Sequence, residues 1–290
     1  MSDTLANLRR KIDGAGKLKS VVRTMKAVAA SSIGQYESAV RSLADYEHSV
    51  ELGLGVCFRK GSSIKPTSKR GVRDGAIGAV VFGSDQGLVG QFNEAIAEFV
   101  EKKLTPLPGT KKIWTIGERI SGRLADVGLA IERQFAVPTS VGGITSLVGQ
   151  LQIALENASK SGCNEIHVFH AQPTVGALYE PVAKKLIPLD ETWQRKLSKA
   201  HWPTNNLAEL FGDTTTTLQA YIREYLFIVL FKACAESLAA ENASRLAAMQ
   251  RAEKNINSLL TNLNRNFYRL RQNSIDEELF DVVAGFNALS

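Results

Sequence analysis

The chain has 290 residues, 44% hydrophobic and 22% charged, which is enough apolar content for a core and too mixed a composition for an intrinsically disordered segment. No run approaches the roughly 18 uninterrupted apolar residues of a membrane-spanning helix, and the apolar stretch 227–231 is far too short. Basic residues outnumber acidic ones 35 to 29, a net charge of +6, and the excess gathers near the N-terminus at Arg9, Arg10, Lys11, Lys17, Lys19, Arg23 and Lys26. Such a run is either a solvated helix face or a surface for an acidic partner.

Met1 to Thr4 lead directly into a helix with Asp3 or Thr4 as its cap. That leaves no room for a signal or transit peptide, so a cytosolic location is expected. From there Leu5, Leu8, Ile12, Ala15, Leu18, Val22, Met25, Ala29, Ile33, Tyr36, Val40 and Leu43 recur at steps of three and four, the seam of a coiled coil. The spacing predicts one helix over residues 4–52, ending where Gly53 and Gly55 weaken it. At 1.5 Å per residue such a helix spans on the order of 70 Å and must project from a domain of this size.

Residues 59–75, rich in Gly, Ser, Pro and basic side chains, read as a linker, and residues 76–206 as a central domain. Within it the pattern predicts a buried strand over 76–82, a helix over 91–104, a strand over 112–116 and a helix over 118–127. A further helix over 144–159, a strand over 165–170 and an extended, proline-bounded stretch over 178–189 complete a three-layer α/β sheet. Residues 207–290 then form the last segment. Asp213 and the threonines after it cap a helix from 214 to about 288, in which Leu246, Met249, Glu253, Ile256, Leu260, Leu263, Phe267 and Leu270 form a second seam with one polar interruption. Two such stripes in one chain can bury each other.

Several motifs invite chemistry and are better explained structurally. Gly83 to Gly90 (GSDQGLVG) lies between a strand and a helix, where an open α/β sheet cradles phosphate. Its glycines, at 83, 87 and 90, fit neither dinucleotide-binding nor phosphate-loop spacing. A tight turn is expected instead, with glycines supplying positive φ and Ser84 or Asp85 satisfying free N–H groups. Gly14-Ala15-Gly16-Lys17 resembles a phosphate loop but sits inside the helical seam, where close approach of a neighbouring helix would account for its glycines.

His167 and His170, three apart on a strand, point to opposite faces and cannot share a metal. Asp276, Glu277, Glu278 and Asp281 read as a solvated face rather than paired acid and base groups. Cys57, Cys163 and Cys234, odd in number and widely spaced, suggest reduced structural thiols. No catalytic, cofactor-binding or metal-ligating set is expected.

Three separated stretches, 25–31 (MKAVAAS), 84–93 (SDQGLVGQFN) and 241–249 (ENASRLAAM), together with a tail from Arg271 to Leu289, resemble the gamma subunit of F-type ATP synthases, in order and along the whole chain. The resemblance implies a long antiparallel coiled coil of the N- and C-terminal helices with a central three-layer, Rossmann-like α/β domain. It implies a rotor shaft inside a ring of alpha and beta subunits, a foot that meets the epsilon subunit and the membrane c-ring, and a peripheral position on the cytoplasmic side of a bacterial inner membrane. It implies no cofactor, no nucleic acid and no membrane insertion, and rotor contacts to the catalytic ring at Met25, Lys26, Arg245 and Gln272. Facing residue numbers would add to about 270, so that the first helix runs out opposite Arg269. Ile275, Leu279, Val282, Val283, Phe286 and Leu289 would then have no partner in their own chain.

Gln86, Val89, Gln91, Asp276 and the pair Phe267-Tyr268 depart from the usual pattern and suggest a divergent branch, such as a second, alternative ATPase. The cysteine-bearing insert of chloroplast relatives is absent, so thiol control is not expected. Two other classes compete. A basic coiled-coil scaffold or nucleic-acid-binding dimer would have a steeply salt-dependent affinity, but stacking aromatics are not interleaved with its basic residues. A small α/β enzyme would need convergent polar groups at the 83–93 turn.

Overall fold

A computed structural model describes residues 4–60, 75–174, 177–206, 208–210 and 212–289. Most of the expected linker at 59–75 lies outside these residues. The chain divides into two compact units, one of residues 1–30 with 245–290 and one of residues 31–244.

The larger unit is built on a five-stranded sheet of order β3-β2-β1-β4-β5, formed by β1 (Ala76–Phe82), β2 (Lys111–Ile116), β3 (Ile131–Phe135), β4 (Cys163–Thr174) and β5 (Ala177–Ile187). The first four are parallel to their neighbours and β5 runs antiparallel to β4. Strand β1 alternates as a doubly covered strand should. Ile77, Ala79 and Val81 meet α3 (Phe92–Leu104) and α4 (Glu118–Asp126), while Val80 and Phe82 meet the cluster formed with α5 (Val141–Lys160). The three layers expected from sequence are present. Pro181 is tolerated within β5 because that strand is an edge of the sheet.

Two elements were not legible in the sequence. Strand β3 (IERQF) buries only its ends, and Arg133 lies over the Phe135 ring at 4.8 Å, so it shows no alternation. Helix α6 (Glu191–Ser198) is eight residues long, too short for a period, and is started by the Asp190 carboxylate accepting from the Thr192 N–H.

The long N-terminal helix differs from its expected form. Thr4 caps it, accepting from the Asn7 N–H, but it is two helices, α1 (Leu5–Ser42) and α2 (Ala44–Arg59), with Leu43 between them bonded to Val40. Gly53 and Gly55 do not end it. A Cβ on Gly53 would lie 2.4 Å from the Tyr221 ring and one on Gly55 2.6 Å from the Leu197 carbonyl oxygen, so these glycines let α2 pack closely. Gly14 and Gly16, for which close approach was expected, have open space around them.

Helix α7 (Thr214–Leu289) begins at Asp213, whose carboxylate accepts from the N–H and hydroxyl of Thr216. These bonds favour the ionised acid and hold Asp213 below its ordinary value. From Ile228 to Ala240 the helix is buried almost all round, which explains the apolar stretch noted in the sequence. Cys57, Cys163 and Cys234 are buried free thiols, each pushed up by burial and so weakly reactive.

In the smaller unit the two seams behave as their periods require. From Leu246 to Leu270 every seam residue is buried or half-buried, and so is every α1 seam residue from Leu5 to Ala29 except Leu18. Leu18 is 59% exposed, while Lys19 beside it is half-buried. The polar interruption has partners: the Glu253 carboxylate takes Arg23 Nε at 3.3 Å and Lys26 Nζ at 2.5 Å. Residue numbers in these pairs add to 276 and 279, so the register is displaced from the expected 270.

Candidate functional site

The turn from β1 to α3 lies at the carboxyl edge of the parallel strands, the position at which open α/β sheets bind ligands. Here the chain's own polar groups meet one another. Asn93, 4% exposed, accepts from the Ser84 N–H at 3.0 Å and donates to the Ser84 hydroxyl at 2.8 Å. The Asp85 carboxylate accepts from the Glu118 N–H at 2.9 Å and the Val137 N–H at 2.8 Å, tying together the loops that follow β1, β2 and β3. Ser244 on α7 donates to the Val89 carbonyl at 2.6 Å, covering the loop from above.

This is the structural turn expected from the spacing, with one correction. Positive φ falls at Leu88 and Gly90, whereas Gly83 is required by space: a Cβ there would lie 2.3 Å from that of Ile120.

The two histidines do part to opposite faces. His167 bonds Glu165 at 2.7 Å beside Phe169, and His170 bonds Glu236 of α7 at 2.8 Å within a 230 Å³ cleft also lined by Lys184 and Lys232. A larger recess of 340 Å³, between α5, β5 and α7, is floored by Leu155, Leu186 and Leu226 and crossed by Gln152 donating to the Arg223 carbonyl. Among the described residues no three His, Cys, Asp or Glu side chains converge as a metal site would require.

The remaining candidates lie in the smaller unit. Met25 is half-buried in the seam, Lys26 is drawn onto Glu253, Arg245 is half-buried at the start of this part of α7, and Gln272 is exposed. They are spread along a coiled coil whose outer surface is apolar and basic: Leu18, Val21 and Val28 are 59%, 56% and 60% exposed on α1 among Arg9, Arg10 and Lys17. On α7 beyond the seam, Ile275, Leu279, Phe280, Val282 and Val283 are all at least half exposed. Asp276, Glu277, Glu278 and Asp281 are solvated, as expected; the side chains of Phe286 and Leu289 lie outside the described residues.

Hydrogen bonds from Lys26, and then from Arg23, hold the Glu253 carboxyl below its ordinary value. A depressed folded value means that this pairing contributes fully above the unfolded Glu value of about 4.3. It is lost as pH falls through the lowered folded value. Acid should therefore loosen this end of the coiled coil. The protection of amides near Glu253, relative to their intrinsic exchange rate at each pH, is expected to fall below about pH 4, and to change much less with pH in Glu253→Gln.

None of the described helices is long and apolar enough to cross a membrane. The family model for ATP synthase matches residues 4–289. The ATP synthase gamma chain of Leifsonia xyli subsp. xyli is 25% identical over 299 residues, covering 100% of this chain and 99% of that protein. That of Frankia casuarinae is likewise 25% identical, over 303 residues and the same shares of both chains. Among solved structures, the rotor of Euglena gracilis mitochondrial ATP synthase superposes with a TM-score of 0.67 at 15% identity, over 94% of this chain and 99% of that one. A chain of the central stalk and c-ring of the Tetrahymena thermophila enzyme gives 0.56 at 19%, over 80% and 99%. At such identities the structures speak for the fold, while the family match and the end-to-end alignments establish descent: the chain belongs to the ATP synthase gamma family.

Proposed function

We propose that this chain is the central-stalk rotor subunit of an F-type ATP synthase or ATPase, carrying torque between the membrane ion-translocating ring and a catalytic ring of alpha and beta subunits. The observation that carries the reading is a coiled coil whose outer face is apolar and basic at once, a surface suited to enclosure by an acidic protein partner. Family membership and the likeness to the rotor of one mitochondrial ATP synthase and the central stalk of another support the same assignment. The terminal segments 1–58 and 207–290 supply the shaft and tail, with 31–58 and 207–244 also belonging to the larger unit, and residues 76–206 form the body of the foot, which meets the epsilon subunit and the c-ring. The complex sits at the cytoplasmic side of the bacterial inner membrane. The membrane ring carries the ion, proton or sodium.

The subunit is non-catalytic. Its phosphate-loop-like stretches lack the spacing that cradles and activates a nucleotide, and the polar groups of the 83–90 turn are engaged within the chain. The test is affinity purification of the tagged chain from its native cells. ATPase alpha and beta subunits are expected to copurify, and the isolated chain to hydrolyse no ATP. Turnover by a preparation free of beta subunit, or recovery of nucleic acid in place of the two subunits, would overturn the assignment.

Met25, Lys26, Arg245 and Gln272 are its contacts with the catalytic ring. Met25 is the informative one to change, because a flexible, polarisable side chain suits a surface that slides. Met25→Lys adds a charge at a half-buried seam position and is expected to lower ion pumping per ATP several-fold while most hydrolysis survives. Proton or sodium uptake and ATP hydrolysis, measured together in reconstituted vesicles, check this; an unchanged ratio speaks against the contact.

A further inference from the structure

Between Arg245 and Arg271 helix α7 carries six basic residues and a single acidic one, Glu253; between Leu5 and Ala30 helix α1 carries seven basic residues and a single acidic one, Asp13. Two helices so charged repel when they pair, and apolar seams stepping by three and four tolerate displacement by a heptad. The one carboxylate that α7 offers in this stretch occupies a seam position, with its side chain 16% exposed, and receives both Arg23 and Lys26. Displacement by seven residues would set it against Gly16 and Lys19 in one direction, or Ala30 and Ile33 in the other. At least one cation is lost either way.

We propose that Glu253 is the register-setting residue of the coiled coil, the single polar seam position that fixes where α1 lies along α7 and hence where Met25 and Lys26 stand relative to Arg245. A polar group in an apolar seam reduces stability and specifies alignment, the best-attested use of such residues. Leucine at 253 would complete an apolar stripe, and it would remove the ion pairs to Arg23 and Lys26 that favour the native alignment over its heptad neighbours. This pairing is internal to the chain and holds whether or not the chain turns as a rotor.

The test measures a distance between spin labels in the isolated full-length chain. Labels are attached through Ala27→Cys and Asn266→Cys, both exposed positions, while the native thiols are buried. Native Glu253 is expected to give one narrow distribution. Glu253→Leu and Glu253→Gln are expected to add a discrete second population, displaced along the axis by about 10 Å, one heptad of helix rise. Reversing the charges, with Arg23→Glu, Lys26→Glu and Glu253→Arg together, is expected to restore a single distribution. One unchanged narrow distribution in either single variant overturns the proposal. So does a featureless spread with no discrete population, because Glu253 would then supply stability rather than register.

Discussion

Gly83→Ala is expected to lower the melting temperature of the isolated chain by roughly 5–10 °C, while Gly87→Ala, four residues away in the same turn, leaves it nearly unchanged. A Cβ at position 83 would come within 2.3 and 2.5 Å of Ile120 Cβ and Cγ2 and 2.9 Å of Asn93 Oδ1. Ile120 is fully buried on α4 and Asn93 is held by two bonds to Ser84, so none of these atoms is the free end of a flexible chain. Either α4 moves outward, an overpacking cost of about 1–3 kcal/mol, or Asn93 turns and leaves the buried Ser84 N–H unpaired at about 1–3 kcal/mol. At position 87 nothing lies within 4 Å of the added atom, and the change should stay within about 0.5 kcal/mol. Calorimetry of the two variants separates space from backbone freedom. Equal effects would mean that the turn needs its glycines for flexibility and not for contact.

That comparison also marks what the sequence can reveal. It revealed period. The seams of α1 and α7 and the α/β order of the middle domain are regularities of spacing; the structure repeats the seams from Leu5 to Ala29 and from Leu246 to Leu270 with Leu18 as the exception, and the middle domain's order apart from β3 and α6. It could not reveal partners that are distant in sequence. Gly53 and Gly55 weaken a helix by intrinsic propensity, yet here they belong inside one because Tyr221 and Leu197 close on them. Strand β3 was missed because an edge strand with only Ile131 and Phe135 turned inward has no alternation to detect. The candidate site followed the same division. The 83–90 turn was readable as a turn from its glycines, but the reach of Asp85 to Glu118 and Val137 depends on folding. Met25, Lys26, Arg245 and Gln272 came from resemblance, and nothing in their spacing singles them out.

Deleting residues 278–290 is expected to weaken assembly with the catalytic ring by about 100-fold or more, near 3 kcal/mol, and to shift the melting temperature of the isolated chain by less than about 2 °C. The deleted part of α7 exposes Leu279, Phe280, Val282 and Val283, at 62%, 71%, 70% and 50%. Burying a large apolar side chain is worth about 1.5–3 kcal/mol, so four of them can far exceed the expected loss even after the ordering costs of association. In the free chain these side chains contribute little, because surface already in contact with water gains nothing from the fold. The register at Glu253 sharpens the expectation. With facing numbers adding to 276 or 279, the first helical residues of α1 would lie opposite the region of Arg271 to Ser274, and the large apolar side chains described on α7 beyond that stand exposed. Sedimentation of the complex reassembled from separate subunits measures the first effect, and calorimetry of the truncated chain alone measures the second. A truncated chain that melts many degrees lower would mean that the tail folds back onto its own chain. Unimpaired assembly would mean that the ring grips the shaft only below residue 278.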